Sequence, residues 1–87
     1  MTSVVIDTSY DVRWREPVWV KVGYGTPEPV RGPRQALNYL AFRWPAIRGD
    51  HFRRAQDQCI GALKKEFPCE QAREAFIGAV TEAGMWA

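Results

Sequence analysis

Two cysteines and one histidine, Cys59, Cys69 and His51, are the side chains of this chain best suited to metal binding or nucleophilic chemistry. The cysteines are too far apart for a Cys-x-x-Cys clip, and the histidine is remote from both. In a helix pair that turns near Pro68, Cys59 lies roughly 10 Å up its helix at 1.5 Å per residue. A disulfide requires Cα atoms within about 7 Å. The pattern therefore predicts neither a metal site nor a disulfide.

The two cysteines are also candidates for nucleophilic chemistry. Cys69 falls at a predicted helix N-terminus, a position that favours the thiolate, but Glu70 and Glu74 nearby oppose this effect. We expect Cys69 to be a surface or half-capping residue and Cys59 to be a small buried residue.

Acid–base catalysis and phosphate binding also lack a complete set of residues. Asp50 and His51 are adjacent, and adjacent positions on a helix do not face each other. No third group is placed to complete a triad. The segment 23–25 (Gly-Tyr-Gly) has no third glycine and no helix directly after it, so a hairpin turn is expected. The sequence predicts no enzyme activity and no cofactor.

Residues 43–49 (RWPAIRG) form a joint at which one predicted helix ends and the next begins. Pro45 disfavours helical torsions in Trp44, so a helix is expected to run from Pro33 to Trp44 and stop there. Asp50 is a good N-cap residue, so a second helix is predicted from about His51 to Glu66. We expect Trp44 to close the core between the two helices.

The first helix is apolar on almost all sides. Its predicted buried stripe is Leu37, Leu40, Ala41 and Trp44. The stripe of the second helix is Phe52, Ala55, Cys59 and Leu63, with Gly61 on the polar side and Arg53 paired with Asp57.

A third helix is predicted after the break at Pro68, ending before Gly84, which suits a left-handed C-cap. Its buried stripe is Ala72, Phe76, Ala79, Val80 and Ala83.

The best strand lies before these helices, at residues 17–23, where Val18, Val20 and Val22 share one face. Residues 28–31 are expected to return as a short edge strand, because Pro29 has no backbone donor. The sequence thus predicts an α+β fold: a short antiparallel β-hairpin packed against three α-helices. Residues 14–87 form the single domain, and residues 1–13 are a variable N-terminal segment, in which residues 3–6 could form a strand.

Size and charge limit the function classes. The chain has 87 residues, which predicts one domain, and a net charge of +2, which does not by itself require a nucleic-acid partner. No apolar run is long enough to cross a membrane. With two cysteines and no export signal at residues 1–10, a cytoplasmic location is expected.

Several short motifs follow one another in a distinctive order: Trp14-x-x-Pro17-Val18, Ala36 to Pro45, Arg48-Gly49, Ala55 to Cys59, and Ala72 to Gly84. Taken in order, they resemble the domain-of-unknown-function 982 family of small bacterial proteins. The resemblance covers residues 14–84 and implies a short hairpin with helices; it brings no activity and no catalytic residue.

Three aromatic side chains remain after one core is assigned: Trp19, Tyr39 and Phe42. Either the hairpin or the N-terminal segment covers them within the monomer, or they contact a partner. We therefore expect a non-catalytic protein-interaction or regulatory domain, with an unknown protein partner or a second copy of the chain.

The alternative is a nucleic-acid-binding accessory protein, since nine of the twelve basic residues are arginines. Its candidate contacts are Arg48, Arg53, Arg54 and Lys65. A solvated face of mixed charge also explains these residues, because Asp57 and Glu66 interrupt the patch.

Overall fold

The computed structural model of the protein describes residues 13–87. The predicted strand at residues 3–6 and most of the variable N-terminal segment lie outside these residues. Within them the chain forms a hairpin of β1 (Val18–Val20) and β2 (Glu28–Val30), followed by α1 (Pro33–Phe42), α2 (Asp50–Leu63) and α3 (Cys69–Ala83). The predicted α+β fold is confirmed.

The hairpin pairs Val18 with Val30 and Val20 with Glu28 in an antiparallel register. The three valines are almost completely buried, so the inner face of the ribbon lies on the helices. The chain after α3 returns to the outer edge of β1, where Trp86 forms a bridge with Val20. Lys21 N–H donates to the Met85 carbonyl at 2.8 Å, so the tail extends the small sheet. A two-stranded ribbon alone is marginal, and this extension and the helices stabilise it.

The core is built on aromatic side chains where α3 meets the joint after α1. Phe76 is fully buried, and its ring centroid lies 5.7 Å from those of both Trp14 and Trp44. Trp44 also contacts Phe52 of α2, at 6.1 Å between centroids. The prediction that Trp44 closes the core between the first two helices is confirmed.

Both predicted helix breaks are present. The helix α1 ends at Phe42, with Arg43 as its C-cap, two residues earlier than predicted. The helix α3 begins after Pro68 and ends at Ala83, and its C-cap Gly84 takes left-handed torsions with φ 69° and ψ 34°, as predicted. Glycine adopts such torsions without a Cβ penalty.

The start and end of α2 differ from the prediction. Its N-cap is Gly49 rather than Asp50, and no side chain caps it. The N–H of Gly49 is instead bound by the Glu82 carboxylate of α3 at 3.1 Å. The helix ends at Leu63 rather than Glu66, because Lys65 takes a positive φ of 63° and turns the chain.

Gly61 of α2 is buried, although the pattern put it on the polar side. A Cβ at this position would lie 2.1 Å from Cδ2 of Phe67, so the glycine makes room for that ring. Arg53 pairs with Asp50 at 3.4 Å instead of with Asp57. Side chains three or four residues apart on a helix surface can both form ion pairs. Because this pair is exposed, it contributes little to the stability of the helix.

The buried side of α1 is rotated from the predicted stripe. Ala41 is exposed, Leu37 is half-buried, and Ala36 and Tyr39 are buried instead. Because the helix is apolar on almost all sides, periodicity could not fix which side faces the core. Tyr39 is thus covered within the monomer, the first of the two outcomes left open by the sequence.

Candidate functional site

An arginine-lined groove lies between the end of the hairpin and α1. It is open to solvent and has a volume of about 680 Å³. Glu28 of β2 and Tyr39 of α1 form part of its wall. Four arginines surround them, namely Arg13, Arg31, Arg34 and Arg43. The sequence does not single out this cluster, because its members come from four separate places in the chain and are joined only by the tertiary fold.

Glu28 occupies one part of this groove as an internal ligand. Its two carboxylate oxygens accept hydrogen bonds from Nη1 and Nη2 of Arg43, each at 2.7 Å. The Tyr39 hydroxyl donates to the same carboxylate, and the Arg43 guanidinium lies over the Tyr39 ring, 4.7 Å from its centroid. Such two-pronged contacts are the most geometrically specific that arginine makes with a carboxylate.

The hydrogen bonds around Glu28 shift the pKa values of Glu28 and Tyr39 away from their ordinary values. The hydrogen bonds from Arg43 and then Tyr39 lower the pKa of Glu28 from 4.5 to about 2. Burial and the neighbouring carboxylate raise the pKa of Tyr39. At neutral pH the groove therefore contains a permanent carboxylate and a neutral phenol, and neither can exchange a proton readily with a substrate.

This network predicts an acid-dependent loss of stability. A carboxylate whose pKa is lowered by folding stabilises the protein fully above its ordinary value, here 4.5, and the effect disappears as the pH falls towards about 2. We expect the wild-type protein to melt at a higher temperature than Glu28→Gln above pH 5, and the gap to close between pH 4.5 and pH 2. Thermal melts followed by circular dichroism across this range would measure it. If the difference in melting temperature between wild type and Glu28→Gln persisted unchanged at pH 2, the ionised Glu28 carboxylate would not be the source of the stabilisation.

Uncharged donors complete the wall of the groove on α1. Asn38 lines it, and Gln35 accepts a hydrogen bond from the backbone N–H of Arg31 at 2.8 Å, which leaves the Gln35 amide NH₂ as a donor. No acidic residue occupies the first turn of α1. Among the described lining residues, four arginines and one glutamate give a formal charge of +3, compared with +4 from the twelve basic and eight acidic side chains of residues 13–87 as a whole.

The three aromatic candidates do not form one surface. Tyr39 is 5% exposed and belongs to the wall just described, whereas Phe42 is 80% exposed. Phe42 follows Asn38 by four residues and Gln35 by seven, so it lies on the groove side of α1. Trp19 is 48% exposed and lies between the buried valines of β1, so it is on the opposite face of the hairpin from the core.

The basic candidates on and around α2 are also not brought together. Arg48 folds back on the joint, with its guanidinium 5.2 Å from the Phe52 ring centroid and within 3.4 Å of the Trp44 carbonyl. Arg53 pairs with Asp50. Arg54 is exposed on α2, whereas Lys65 is exposed in the turn that follows the end of that helix at Leu63.

The cysteines and the histidine remain separate as well. Cys59 and Cys69 are free thiols. Burial, and to a smaller extent Cys69, raises the pKa of Cys59 to about 12, and burial followed by Glu70 raises the pKa of Cys69. His51 is exposed, with its ring against Gly78. Among residues 13–87, no cluster of three His, Cys, Asp or Glu side chains could hold a metal ion.

Comparisons with known proteins agree with this fold. The family model described as "Protein of unknown function (DUF982)" matches residues 16–87. The chain is similar to the Agrobacterium tumefaciens protein Atu1219, a structural genomics target solved by NMR, with 33% identity and a TM-score of 0.73 over 88% of this chain and 77% of that one. The comparison with curated proteins gave no significant match. Within the described part of the chain, no helix combines the length and apolar character needed to cross a bilayer.

Proposed function

Since this chain belongs to the DUF982 family of proteins of unknown function, we propose its function from the groove side of α1 alone. The domain is a non-catalytic interaction module that binds another protein through this side, with Phe42 as the apolar anchor beside the arginine-lined groove. Exposed aromatic side chains next to arginines are enriched at protein interfaces and carry a large share of their binding energy.

The exposure of Phe42 is the observation that supports this proposal. Phe42 is 80% exposed, although Tyr39, three residues earlier on the same helix, is buried. Burying a phenylalanine side chain is favourable by about 1.5–3 kcal/mol. Within residues 13–87 that gain is not realised, and a partner can supply it.

The proposed function is non-catalytic, because the shifted pKa values of Glu28 and Cys59 lie far from neutral pH. Efficient general acids and bases titrate near neutral pH. The groove carboxylate of Glu28 has a pKa of about 2, and the thiol of Cys59 has a pKa of about 12. A stable ion pair in an open groove is suited to recognition.

The test compares three baits: the full-length chain, Phe42→Ser and Tyr24→Ser. Tyr24 is fully exposed at the hairpin turn and serves as the matched control, since its loss removes an aromatic ring away from α1. We expect native-cell co-purification to recover a partner with wild type and Tyr24→Ser, and recovery to fall about tenfold or more with Phe42→Ser.

Sedimentation of the same three proteins tests whether the partner is a second copy of the chain. A dimer that is lost only in Phe42→Ser would identify self-association as the interaction. Circular dichroism of each variant checks that the fold is retained. Equal recovery by all three baits, with equal masses in solution, would show that the groove side of α1 is not the contact surface.

A further inference from the structure

We propose that the arginine-lined groove is a carboxylate-binding site that takes an acidic segment of the partner protein. This inference rests on the proposed function and names the chemistry of the partner at the same surface. The segment's Glu or Asp side chains bind the groove arginines, and an adjacent apolar side chain packs on Phe42.

The distribution of charge supports an anionic ligand. Among residues 13–87, which hold twelve basic and eight acidic side chains, four of the basic residues line the groove and only one of the acidic residues does, so basic charge is concentrated here. Within residues 13–87, the carboxylates that form ion pairs are Glu28 and Asp50, and neither pairs with Arg13 or Arg31. Those two exposed guanidinium groups are held at the groove with no carboxylate partner in the described part of the chain.

Glu28 shows which anion the groove accommodates. Its carboxylate is bound by both terminal nitrogens of Arg43 at 2.7 Å and by the Tyr39 hydroxyl. The planar guanidinium matches the spacing of two carboxylate oxygens, and this pairing is already realised in the groove with a side chain of the protein itself. A partner carboxylate can bind Arg13 or Arg31 in the same way, or compete with Glu28 for Arg43.

The same features disfavour a nucleic-acid strand. Binding of a single strand requires a basic track along the backbone and several aromatic platforms for successive bases. The groove instead holds a fixed negative charge at Glu28, and on the groove side of α1 Phe42 is the exposed aromatic ring.

The experiment measures fluorescence anisotropy of labelled probes with the full-length chain. The first probe is a short peptide in which glutamate alternates with leucine, the second has glutamine in place of each glutamate, and the third is an oligothymidylate of equal net charge. We expect the glutamate peptide to bind more tightly than the other two and to weaken as salt is added.

Arginine variants localise the binding. Arg31→Gln removes a groove charge, and Arg54→Gln removes the same charge from an exposed position on α2. We expect Arg31→Gln to weaken binding of the glutamate peptide about three- to tenfold, and Arg54→Gln to change it less than about twofold. Equal effects would overturn the proposal, because they would indicate diffuse attraction to a basic protein.

Removal of the internal carboxylate provides an independent variant. Glu28→Gln leaves Arg43 without its carboxylate partner, so we expect tighter binding of the glutamate peptide, by more than in Asp57→Asn, which removes an exposed charge on α2. Tighter binding of the oligothymidylate than of the peptide, or equal binding of the glutamine peptide, would overturn the proposal. If the peptide does not bind while a Phe42-dependent partner is still recovered, the carboxylate site is wrong and the interaction surface stands.

Discussion

Replacing Phe76 with alanine is expected to lower the free energy of unfolding by about 3–5 kcal/mol. Phe76 is fully buried in α3, and its ring packs between the indoles of Trp14 and Trp44, with both centroids 5.7 Å away. Truncation removes the transfer energy of the ring and also leaves a cavity that two rigid indoles cannot fill. Small domains have total stabilities of about 5–15 kcal/mol, so this one change removes a large part of it.

Urea denaturation followed by tryptophan fluorescence and circular dichroism would measure the loss. Phe42→Ala is the matched control, because it removes the same ring from a position that is 80% exposed. Exposed substitutions of this kind change stability by about 0.5 kcal/mol or less. A loss of similar size in both variants would mean that the aromatic cluster is not the centre of the core.

The breaks in this fold follow from local backbone chemistry, and for that reason the sequence alone predicts them. Pro45 prevents a helix from running through the joint, Pro68 lies directly before the first residue of α3, and Gly84 suits a left-handed cap. The alternating valines around Val18 likewise require a covered face. Each of these signals lies within a few residues of the structure that it specifies.

The orientation of α1 could not be predicted in this way. Apolar side chains occur on more than one side of the helix, so the pattern leaves its rotation open, and in the structure Ala36, Tyr39 and Leu40 are buried. The Tyr39 hydroxyl also donates a hydrogen bond to Glu28 of the hairpin, eleven residues earlier, and helical periodicity does not encode such a tertiary contact. The exposure of Ala41 and the burial of Tyr39 are two consequences of the same rotation.

The candidate groove was missed for a related reason. Arg13, Arg31 and Arg43 show no periodic spacing, and Arg48, Arg53 and Arg54 form a denser run in the sequence. Arginines that lie close together in the sequence need not lie close together in space. On α2, neighbouring basic residues point in different directions around the helix axis. Two of the groove arginines, Arg31 and Arg34, do lie close together in the sequence, on either side of the Gly32-Pro33 start of α1.

Trp44, by contrast, was predicted to close the core, and its replacement should be nearly as costly as that of Phe76. The indole is 7% exposed and contacts both Phe52 and Phe76, so Trp44→Ala is expected to cost about 3–5 kcal/mol. Because it lies directly before Pro45, its position depends on the chain turn as well as on packing. If Trp44→Ala lowered the free energy of unfolding only slightly, the backbone turn at Pro45, and not packing of the indole, would hold the joint in place.

Phenylalanine substitutions separate ring packing from hydrogen bonding at the two buried tryptophans. The indole N–H of Trp14 donates to the Cys69 carbonyl at 2.9 Å, whereas that of Trp44 has no acceptor among residues 13–87. Trp→Phe shrinks the ring equally at both positions, but only Trp14→Phe removes a hydrogen bond between the N-terminal approach and the start of α3. We therefore expect Trp14→Phe to cost about 1 kcal/mol more than Trp44→Phe in urea denaturation. Equal costs, or a larger cost at Trp44, would show that the Trp44 indole N–H is satisfied in solution and contributes to holding the joint.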